Sequence, residues 1–211
     1  MNQLNRQTLE RLMHYYHCIE EHYDLQVQCS ICSGELARLL RLDDTQIRKD
    51  FAAIGVKGHR RIGFDGREVL SAIREILGFN RIYRAVIVGA GRLGGALASY
   101  KGFTRDGLEI TALFDNDQNK YGLIVSGHTI QPMEQLEPII RQKNVQLGIL
   151  TVPTEVAQET ADRLIRAGIQ ALWSFSPINL QIPESIFVRY EYLSVGLAHL
   201  SYHLKQKAEK P

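Results

Sequence analysis

A glycine-rich turn between a predicted strand and a predicted helix constrains the fold more than any other stretch of this chain. Residues 85–88 form a short apolar run, which is typical of a strand buried on both faces. A segment with glycines at 89, 91 and 94 follows and opens a run of good helix formers. This spacing permits a tight turn, close approach of a pyrophosphate and close helix–strand packing, and so predicts a dinucleotide site. The predicted turn residues of that site are Gly89, Ala90, Gly91, Arg92, Leu93 and Gly94.

An acidic residue after the next predicted strand supports the same interpretation. Residues 109–114 have the composition of a second buried strand, and Asp115 directly follows them. A carboxylate at that position can accept hydrogen bonds from both ribose hydroxyls of adenosine, and it would repel a 2′-phosphate. The sequence therefore favours NADH or NAD over NADP. A glycine turn in a domain that binds no nucleotide is the alternative.

Two further segments are assigned to the same site by their position. Lys120 belongs to a polar loop over residues 116–122, and it faces either the nucleotide or solvent. A predicted strand over residues 147–152 ends at the carboxyl edge of the sheet, where ligands of such sheets bind. The predicted nucleotide-binding residues at that strand end are Thr151, Val152 and Pro153.

Composition narrows the class of protein. The chain has 211 residues with 45% hydrophobic and 23% charged residues, which is ordinary for a protein that buries a core. Its apolar runs are far shorter than the ~18 residues of a membrane span, and its polar start does not resemble a signal peptide. We therefore expect a cytoplasmic protein without a membrane segment. The net charge of +2 is too small to indicate nucleic-acid binding by itself.

The three cysteines leave two interpretations open. Cys29 and Cys32 have the C-x-x-C spacing of half a zinc or redox site, and Cys18 lies nearby in sequence. A second pair at zinc-finger spacing does not follow. We favour free thiols around a loop and a helix start, and we predict no metal site. A thiol or metal input is the alternative.

The first part of the chain predicts a helix-turn-helix. Helices are expected over residues 7–23, 33–40 and 45–54, and only a short turn joins the last two. In the third helix, Ile47, Phe51 and Ile54 share the buried stripe. The residues off that stripe, predicted to contact DNA, are Thr45, Gln46, Arg48 and Lys49.

A basic turn follows the predicted recognition helix. Residues 55–64 carry glycines at turn positions, which suits a β-hairpin wing, and His59, Arg60 and Arg61 would lie along phosphates. From Thr45 to Arg67 there are six basic and two acidic residues. The positive charge is thus concentrated where a winged helix touches DNA. A solvated helix face is the alternative for the basic residues of the third helix.

The remainder alternates predicted strands and helices, which implies a parallel sheet. A helix over residues 68–77 ends at Gly78, and a linker leads into the glycine-rich unit. A terminal helix over residues 193–204 carries Leu193, Leu197, Leu200 and Leu204 on one face. It packs on its own domain or, as we favour, on a second subunit. The predicted division is residues 1–79 for DNA binding, 80–190 for NAD(H) binding and 191–211 for dimerisation.

With these motifs in place, the chain resembles the Rex family of redox-sensing transcriptional repressors along nearly its whole length. The resemblance rests on Gln46-Ile-Arg-Lys-Asp50, Gly89-Ala-Gly-Arg-Leu-Gly94, Phe114-Asp-Asn-Asp117, Ile149-Leu-Thr-Val-Pro153 and Ser174-Phe-Ser-Pro177. It implies an α/β homodimer with N-terminal winged helix-turn-helix domains, Rossmann-like parallel-sheet domains and terminal helices swapped between subunits. It further implies that the protein represses transcription on double-stranded operator DNA, that NADH releases the DNA and that NAD allows binding.

The chain departs from the family pattern at several positions. The run before the wing is Ala53-Ile-Gly-Val-Lys-Gly58 where the family has an aromatic-rich run, and the wing has His59-Arg-Arg61 in place of Lys-Arg-Gly. The resemblance assigns Tyr100 to the nucleotide site and pairs it with an acidic residue of the tail. That position is Tyr192 here, with Glu191 beside it.

Two other functions remain open on the sequence. The first is a DNA-binding paralogue that is constitutive or responds to a thiol, a metal or another adenine ligand such as coenzyme A. The second is an NAD-dependent dehydrogenase, although no recognisable acid–base constellation accompanies the glycine motif. Direct NADH binding distinguishes the first from a redox sensor, and oxidation of NADH by a carbonyl substrate would support the second.

Overall fold

The computed structural model describes residues 4–26 and 29–209. These residues fall into two compact units, and the boundary between them in the sequence lies between Arg81 and Ile82. The sequence placed this division after residue 79. Each unit has its own buried core, so each is described by itself.

The first unit consists of short helices and a small antiparallel sheet. Its elements are α1 (Arg6–His22), β1 (Ser30–Ile31), α2 (Ser33–Leu40), α3 (Asp44–Ala53), β2 (Phe64–Asp65) and α4 (Gly66–Leu77). Aromatic rings fill its centre: Tyr15 and Phe64 each meet Phe51 edge to face, with centroids 5.5 and 4.9 Å apart. Edge-to-face contacts of this kind add specific geometry to the area that the rings bury.

Side chains just before three helices of this unit satisfy the first backbone amides of those helices. Asn5, Asp43 and Asp65 cap α1, α3 and α4 by accepting hydrogen bonds from backbone amides of the first turn. Gly78 ends α4 in the left-handed conformation at φ 77°, as predicted. The prediction of a helix over residues 33–40 is confirmed by α2.

The small sheet of the first unit was not predicted. β1 pairs antiparallel with β2, so that Ile31 lies opposite Phe64. The wing is therefore joined to the segment before α2. A two-residue strand far away in sequence leaves no periodic signal, because a strand needs several residues to display alternation.

The second unit is built on a seven-stranded sheet. The strand order is β5-β6-β4-β3-β7-β8-β9, and every neighbouring pair is parallel except β5 and β6. The strands are β3 (Tyr83–Val88), β4 (Leu108–Asp115), β5 (Ile124–Val125), β6 (His128–Pro132), β7 (Leu147–Leu150), β8 (Ala171–Ser174) and β9 (Phe187–Tyr190). The helices are α5 (Arg92–Ala98), α6 (Gly102–Arg105), α7 (Leu136–Lys143), α8 (Thr154–Ala167) and α9 (Leu193–Ala208). The predicted parallel sheet is confirmed, whereas β5 and β9 were missed.

The central strand explains the apolar run seen in the sequence. Val86 and Val88 belong to one core cluster, and Ala85 and Ile87 belong to the cluster on the other face of the sheet. All four side chains are buried. A strand covered by helices on both faces has no position for a polar residue, which accounts for the unbroken run.

The terminal helix α9 differs from every other helix of the second unit. All of its side chains are exposed, including Leu193 at 76%, Leu197 at 64% and Leu204 at 68%. Within the described residues, no helix combines the length and the apolar character that crossing a membrane requires.

Candidate nucleotide site and DNA interface

The turn after β3 adopts a conformation that requires glycine. Gly89 has φ +102°, and a Cβ there would lie 2.7 Å from the carbonyl oxygen of Thr151. A Cβ at Gly94 would lie only 2.0 Å from the carbonyl oxygen of Gly89. These two glycines therefore let the turn approach the end of β7 and let α5 pack on the turn.

Gly91 has a different role, because the space around it is open. It is the N-cap of α5 at φ −81°, and it provides no side-chain cap for the first helical turn. An added Cβ would have no neighbour within 4 Å. The chain itself thus leaves room for a ligand to approach the backbone at Gly91, as a pyrophosphate does in dinucleotide sites.

Thr151 stabilises the glycine-rich turn through hydrogen bonds to its backbone. Its Oγ1 donates to the carbonyl oxygen of Gly89 at 2.7 Å, and its backbone N–H donates to the carbonyl oxygen of Val88 at 2.9 Å. The end of β7 is in this way tied to the end of β3. Thr151 shapes the site through the backbone.

Asp115 enters the site as a member of an ion pair. Its Oδ2 accepts from Lys120 Nζ at 2.8 Å and from the Ala90 N–H at 2.9 Å, and its Oδ1 accepts from the Asp117 N–H at 2.9 Å. Burial alone would raise the pKa of Asp115, but these hydrogen bonds and the Lys120 charge outweigh it and hold the pKa below its ordinary value. The carboxylate is therefore ionised and fixed in orientation, and the positive charge of Lys120 largely offsets its negative charge. The Lys120 ammonium is thus held beside Asp115, and its contact with a nucleotide stays a prediction.

These residues border a cavity of about 620 Å³ at the carboxyl ends of the strands, here called the carboxyl-edge cavity. It has the size of a small-molecule site and the location that ligands occupy in open parallel sheets. Its lining residues are Val88, Gly89, Gly91, Asp115, Asn116, Lys120, Met133, Glu134, Thr151, Val152, Pro153, Val156, Glu159, Thr160 and Arg163.

The other predicted nucleotide residues lie outside this lining. Gly94 is buried beneath the turn and Ala90 contributes its N–H to Asp115, while Arg92 and Leu93 are exposed on α5. Tyr100 follows α5, is 55% exposed and meets the ring of Phe103 edge to face at 4.9 Å. The assignment of these residues to the nucleotide site remains a prediction.

The sequence did not predict the side of the cavity that α8 and the residues just before α7 form. Arg163 fixes that side: its Nη2 donates to the carbonyl oxygen of Met133 at 2.6 Å, and its Nε donates to Glu137 at 3.0 Å. The rule that sites form at the carboxyl ends of strands could have pointed to Met133, which follows β6. Nothing in the sequence pairs Arg163 with Glu137.

In the first unit, Arg48 of α3 lies at the N-terminal end of α2. Arg48 Nε donates to Ser33 Oγ at 3.2 Å, and Arg48 also forms an ion pair with Asp44 in the first turn of α3. Thr45 and Lys49 are exposed beside it. The prediction that these three residues lie off the buried stripe of the third helix is therefore confirmed, and their contact with DNA stays a prediction.

Gln46 differs from this group because it is partly buried and bonded within the protein. Its Nε2 donates to Asp50 Oδ1 at 2.9 Å, and Asp50 is itself only 3% exposed. Arg11 and Tyr15 of α1 bind the same carboxylate. The NH2 group of Gln46 is thus already hydrogen-bonded to Asp50 in the protein alone.

The wing is a tight turn that projects basic side chains. The N–H of His59 donates to the carbonyl oxygen of Gly63 at 2.7 Å, and the N–H of Gly63 returns a bond to His59 at 2.9 Å. Arg60 and Arg61 lie at the tip, Arg61 with a left-handed backbone at φ 66°. A Cβ at Gly63 would lie 2.3 Å from the carbonyl oxygen of Ile31, so only glycine lets the wing cross β1. The hairpin is narrower than the predicted span of residues 55–64.

The wing, α2 and α3 enclose a second cavity of about 540 Å³, here called the basic cleft. It brings together four of the seven predicted DNA-binding residues, namely Arg48, His59, Arg60 and Arg61. Four basic side chains around one cleft form a surface that favours an anionic ligand. The lining residues are Cys32, Ser33, Arg48, Gly58, His59, Arg60, Arg61, Ile62, Gly63 and Phe64.

The cysteines are all free thiols. Cys18 is buried, which raises the pKa of its thiol, Cys29 is partly buried and Cys32 is exposed. Over residues 4–26 and 29–209, no three histidine, cysteine or acidic side chains are grouped as metal ligands. Cys32 is the N-cap of α2, and its thiol makes no side-chain capping bond.

The departures from the family pattern near the tail have partners within the chain. Tyr192 Oη donates to Asn179 Oδ1 at 2.9 Å, and its ring lies nearly parallel to that of Tyr190. Glu191 accepts a hydrogen bond from Arg189 Nη2 at 3.1 Å. In this arrangement neither side chain is bonded to Tyr100.

Comparisons with known proteins agree with the two units. A family profile described as "putative DNA-binding protein N-terminus" matches residues 4–52, and one described as "CoA binding domain" matches residues 80–178. The redox-sensing transcriptional repressor Rex of Carboxydothermus hydrogenoformans is 35% identical over 199 residues, which cover 94% of this chain and 95% of that protein.

Two solved structures match almost the entire chain. The crystal structure of RSP in complex with β-NADH has a TM-score of 0.88 at 33% identity, and covers 99% of this chain and 97% of that one. The crystal structure of RSP in complex with β-NAD+ and operator DNA has a TM-score of 0.88 at 32% identity and covers 100% of both chains. RSP is described as a Rex-family repressor.

Proposed function

This chain belongs to the Rex family of redox-sensing transcriptional repressors, and we propose that it binds operator DNA when NADH is scarce and releases it when NADH binds. One observation carries the proposal. The related repressor RSP has been crystallised both with NADH and with NAD+ plus operator DNA, and both structures match this chain along its length. Because the DNA and the nicotinamide nucleotide pool are cytoplasmic, we place the protein there.

The carboxyl-edge cavity is the proposed nucleotide site. Gly91 leaves space for a pyrophosphate beside the backbone, and Asp115 retains acceptor capacity on Oδ1 for a ribose hydroxyl. Lys120 adds N–H donors next to that carboxylate. These groups fit an adenosine ribose joined to a pyrophosphate, as in NADH and NAD.

The basic cleft is the proposed contact with the DNA backbone. Arg48, Arg60 and Arg61 would bind phosphates, which supplies affinity without sequence information. Residues of the first turns of α3 would reach base edges in the major groove, as in other helix-turn-helix proteins. The proposed base-contacting residues are Thr45, Gln46 and Lys49.

A second copy of the chain is the proposed partner of α9. Leucines 193, 197, 200 and 204 are each at least 64% exposed, although burying one such side chain is worth about 1.5–3 kcal/mol. A contiguous apolar helix face is a protein-interaction surface. A homodimer would also place two α3 helices on the two halves of a palindromic operator.

Coupling between the two ligands follows from thermodynamics. NADH can release DNA only if it binds the DNA-incompetent arrangement of the dimer more tightly than the DNA-competent one. Operator DNA must then weaken NADH binding by the same factor. NAD must lack most of this preference for the signal to report the redox state.

We further propose that the chain does not turn over its nucleotide. Among the described residues that line the carboxyl-edge cavity there is no histidine, cysteine or tyrosine to exchange a proton with a substrate. Lys120 is paired with Asp115, so the lining groups that remain for proton transfer are the carboxylates of Glu134 and Glu159. Steady NADH absorbance with small carbonyl compounds is the expected result, and its decay would support a dehydrogenase.

The experiment that tests the function begins with selection of binding sites from a random duplex pool. Retained complexes are then washed with NADH or with NAD at constant salt. We expect a palindromic consensus and elution by NADH alone. Elution by neither nucleotide would indicate a constitutive or differently regulated paralogue, and a failure to retain any duplex would exclude the DNA-binding function.

A further inference from the structure

The carboxylate of Asp50 is the most heavily bonded side-chain group of the proposed recognition helix. It accepts from Arg11 Nε at 2.6 Å and Arg11 Nη2 at 2.8 Å, and from Tyr15 Oη at 2.8 Å. A fourth bond comes from Gln46 Nε2 at 2.9 Å, one turn earlier on α3. Asp50 is 3% exposed, so these bonds are made away from solvent.

The ionisation of Asp50 decides which end of Gln46 it can bind. Burial alone would raise the pKa of Asp50, but hydrogen bonds from Arg11, Tyr15 and Gln46 together outweigh it and hold the pKa below its ordinary value. An ionised carboxylate can only accept hydrogen bonds. Gln46 must therefore turn its NH2 group, and not its carbonyl oxygen, toward Asp50.

This orientation leaves a defined edge of Gln46 unused. Nε2 has a second hydrogen, and that N–H and Oε1 remain on one edge of the planar amide as a donor beside an acceptor. Gln46 follows the N-cap Asp43 within the first turn of α3. In helix-turn-helix proteins this is the part of the recognition helix that faces base edges.

We propose that Asp50 is a positioning residue that fixes the Gln46 amide so that it reads adenine in the major groove. Adenine presents the N6 donor and the N7 acceptor side by side, which is the complement of the free amide edge. The reversed amide would present its groups in the wrong order. The proposal rests on the proposed function, because it requires that α3 enters the major groove.

A purely structural role for Asp50 makes a different prediction. Arg11 and Tyr15 already tie Asp50 to α1, so loss of the carboxylate would loosen α3 whatever Gln46 does. Loosening of the helix lowers affinity for every operator variant by a similar factor. Loss of amide orientation changes the ratio of affinities between bases at one position.

The test uses the full-length protein and duplexes that vary at the one base pair where Gln46→Ala loses its preference. We expect the wild type to favour adenine there by about fivefold or more, as a bidentate contact does. Asp50→Asn should reduce this ratio to the Gln46→Ala level, and the double variant should lose nothing further. Tyr15→Phe, which removes another partner of Asp50, is the matched control and should retain the ratio.

A second measurement does not depend on the folding of Asp50→Asn. Replacing that adenine with 7-deazaadenine removes N7, so wild-type affinity should fall by a similar factor while Gln46→Ala is indifferent. An unchanged base ratio in a folded Asp50→Asn variant overturns the proposal, as does wild-type indifference to 7-deazaadenine. Absence of all DNA binding by the wild type would instead contradict the proposed function.

Discussion

Lys120 Nζ lies 2.8 Å from Asp115 Oδ2, so the acidic residue that ends β4 meets the carboxyl-edge cavity already paired with a cation. The sequence predicted a bare carboxylate that would repel a 2′-phosphate. In the structure its charge is largely compensated, and its orientation is set by Lys120 and by the amides of Ala90 and Asp117. We therefore expect Asp115 to bind a ribose mainly through directed hydrogen bonds and less through its charge.

Replacing Asp115 with alanine should weaken NADH binding by about tenfold or more, because hydrogen bonds to a charged group are worth about 1.5–3 kcal/mol. DNA affinity without nucleotide should stay unchanged, since Asp115 belongs to the second unit. Energy transfer from Trp173 to bound NADH measures the affinity. Asp117→Ala in the same loop is the matched control, and equal losses in both variants would remove Asp115 from the site.

Gly91→Ala and Gly94→Ala should separate binding from folding. A methyl group at Gly91 meets no protein atom but would stand where we propose that the pyrophosphate approaches, so NADH binding should be lost while the free energy of unfolding changes by about 1 kcal/mol at most. A methyl group at Gly94 would lie 2.0 Å from a backbone oxygen, so that variant should unfold more easily. Urea titrations and NADH titrations of both variants provide the comparison. Tight NADH binding by Gly91→Ala would place the pyrophosphate elsewhere.

Combined Arg60→Ala and Arg61→Ala substitutions should weaken binding to all duplexes and flatten its salt dependence. Each lost phosphate contact should reduce the slope of log K against log salt by about 0.9. Arg6→Ala removes an equally charged residue that is paired with Glu10 and lies outside the basic cleft, so it serves as the control. An unchanged slope in the double variant would show that Arg60 and Arg61 of the wing do not contact DNA phosphates.

Leu197→Glu together with Leu200→Glu should convert a dimer into a monomer. Both leucines are about two-thirds exposed in the single chain, at 64% and 65%, and in a dimer the new charges would be buried without partners. Sedimentation should give twice the chain mass of 24.0 kDa for the wild type and the chain mass for the variant. Gln206→Glu adds a charge to a polar position of the same helix and should remain dimeric. A wild-type monomer would contradict the assignment of α9.

The features that could be predicted well are those determined by residues close together in the sequence. The buried strand β3, the helix α2 and the left-handed Gly78 depend on residues within one or two turns of one another. The same holds for the glycines of the β3–α5 turn, whose conformational demands can be read from their spacing.

The features that it missed depend on residues brought together by folding. Asp50 of α3 is bonded by Arg11 of α1, and Arg163 of α8 supports the cavity through Met133. No periodicity links such pairs, so Gln46 was assigned to DNA without its bond to Asp50. Long-range pairing of short strands, as between β1 and β2, was missed for the same reason.

The coupling between nucleotide and DNA is the central claim, and fluorescence anisotropy of the labelled palindromic operator tests it most directly. The dissociation constant is measured at one salt concentration with saturating NADH, with saturating NAD and with neither. We expect NADH to raise the dissociation constant by about tenfold or more, in the range of ordinary allosteric coupling, and NAD to leave it near the nucleotide-free value. Equal dissociation constants in the three conditions, with NADH shown to be bound, would contradict the account.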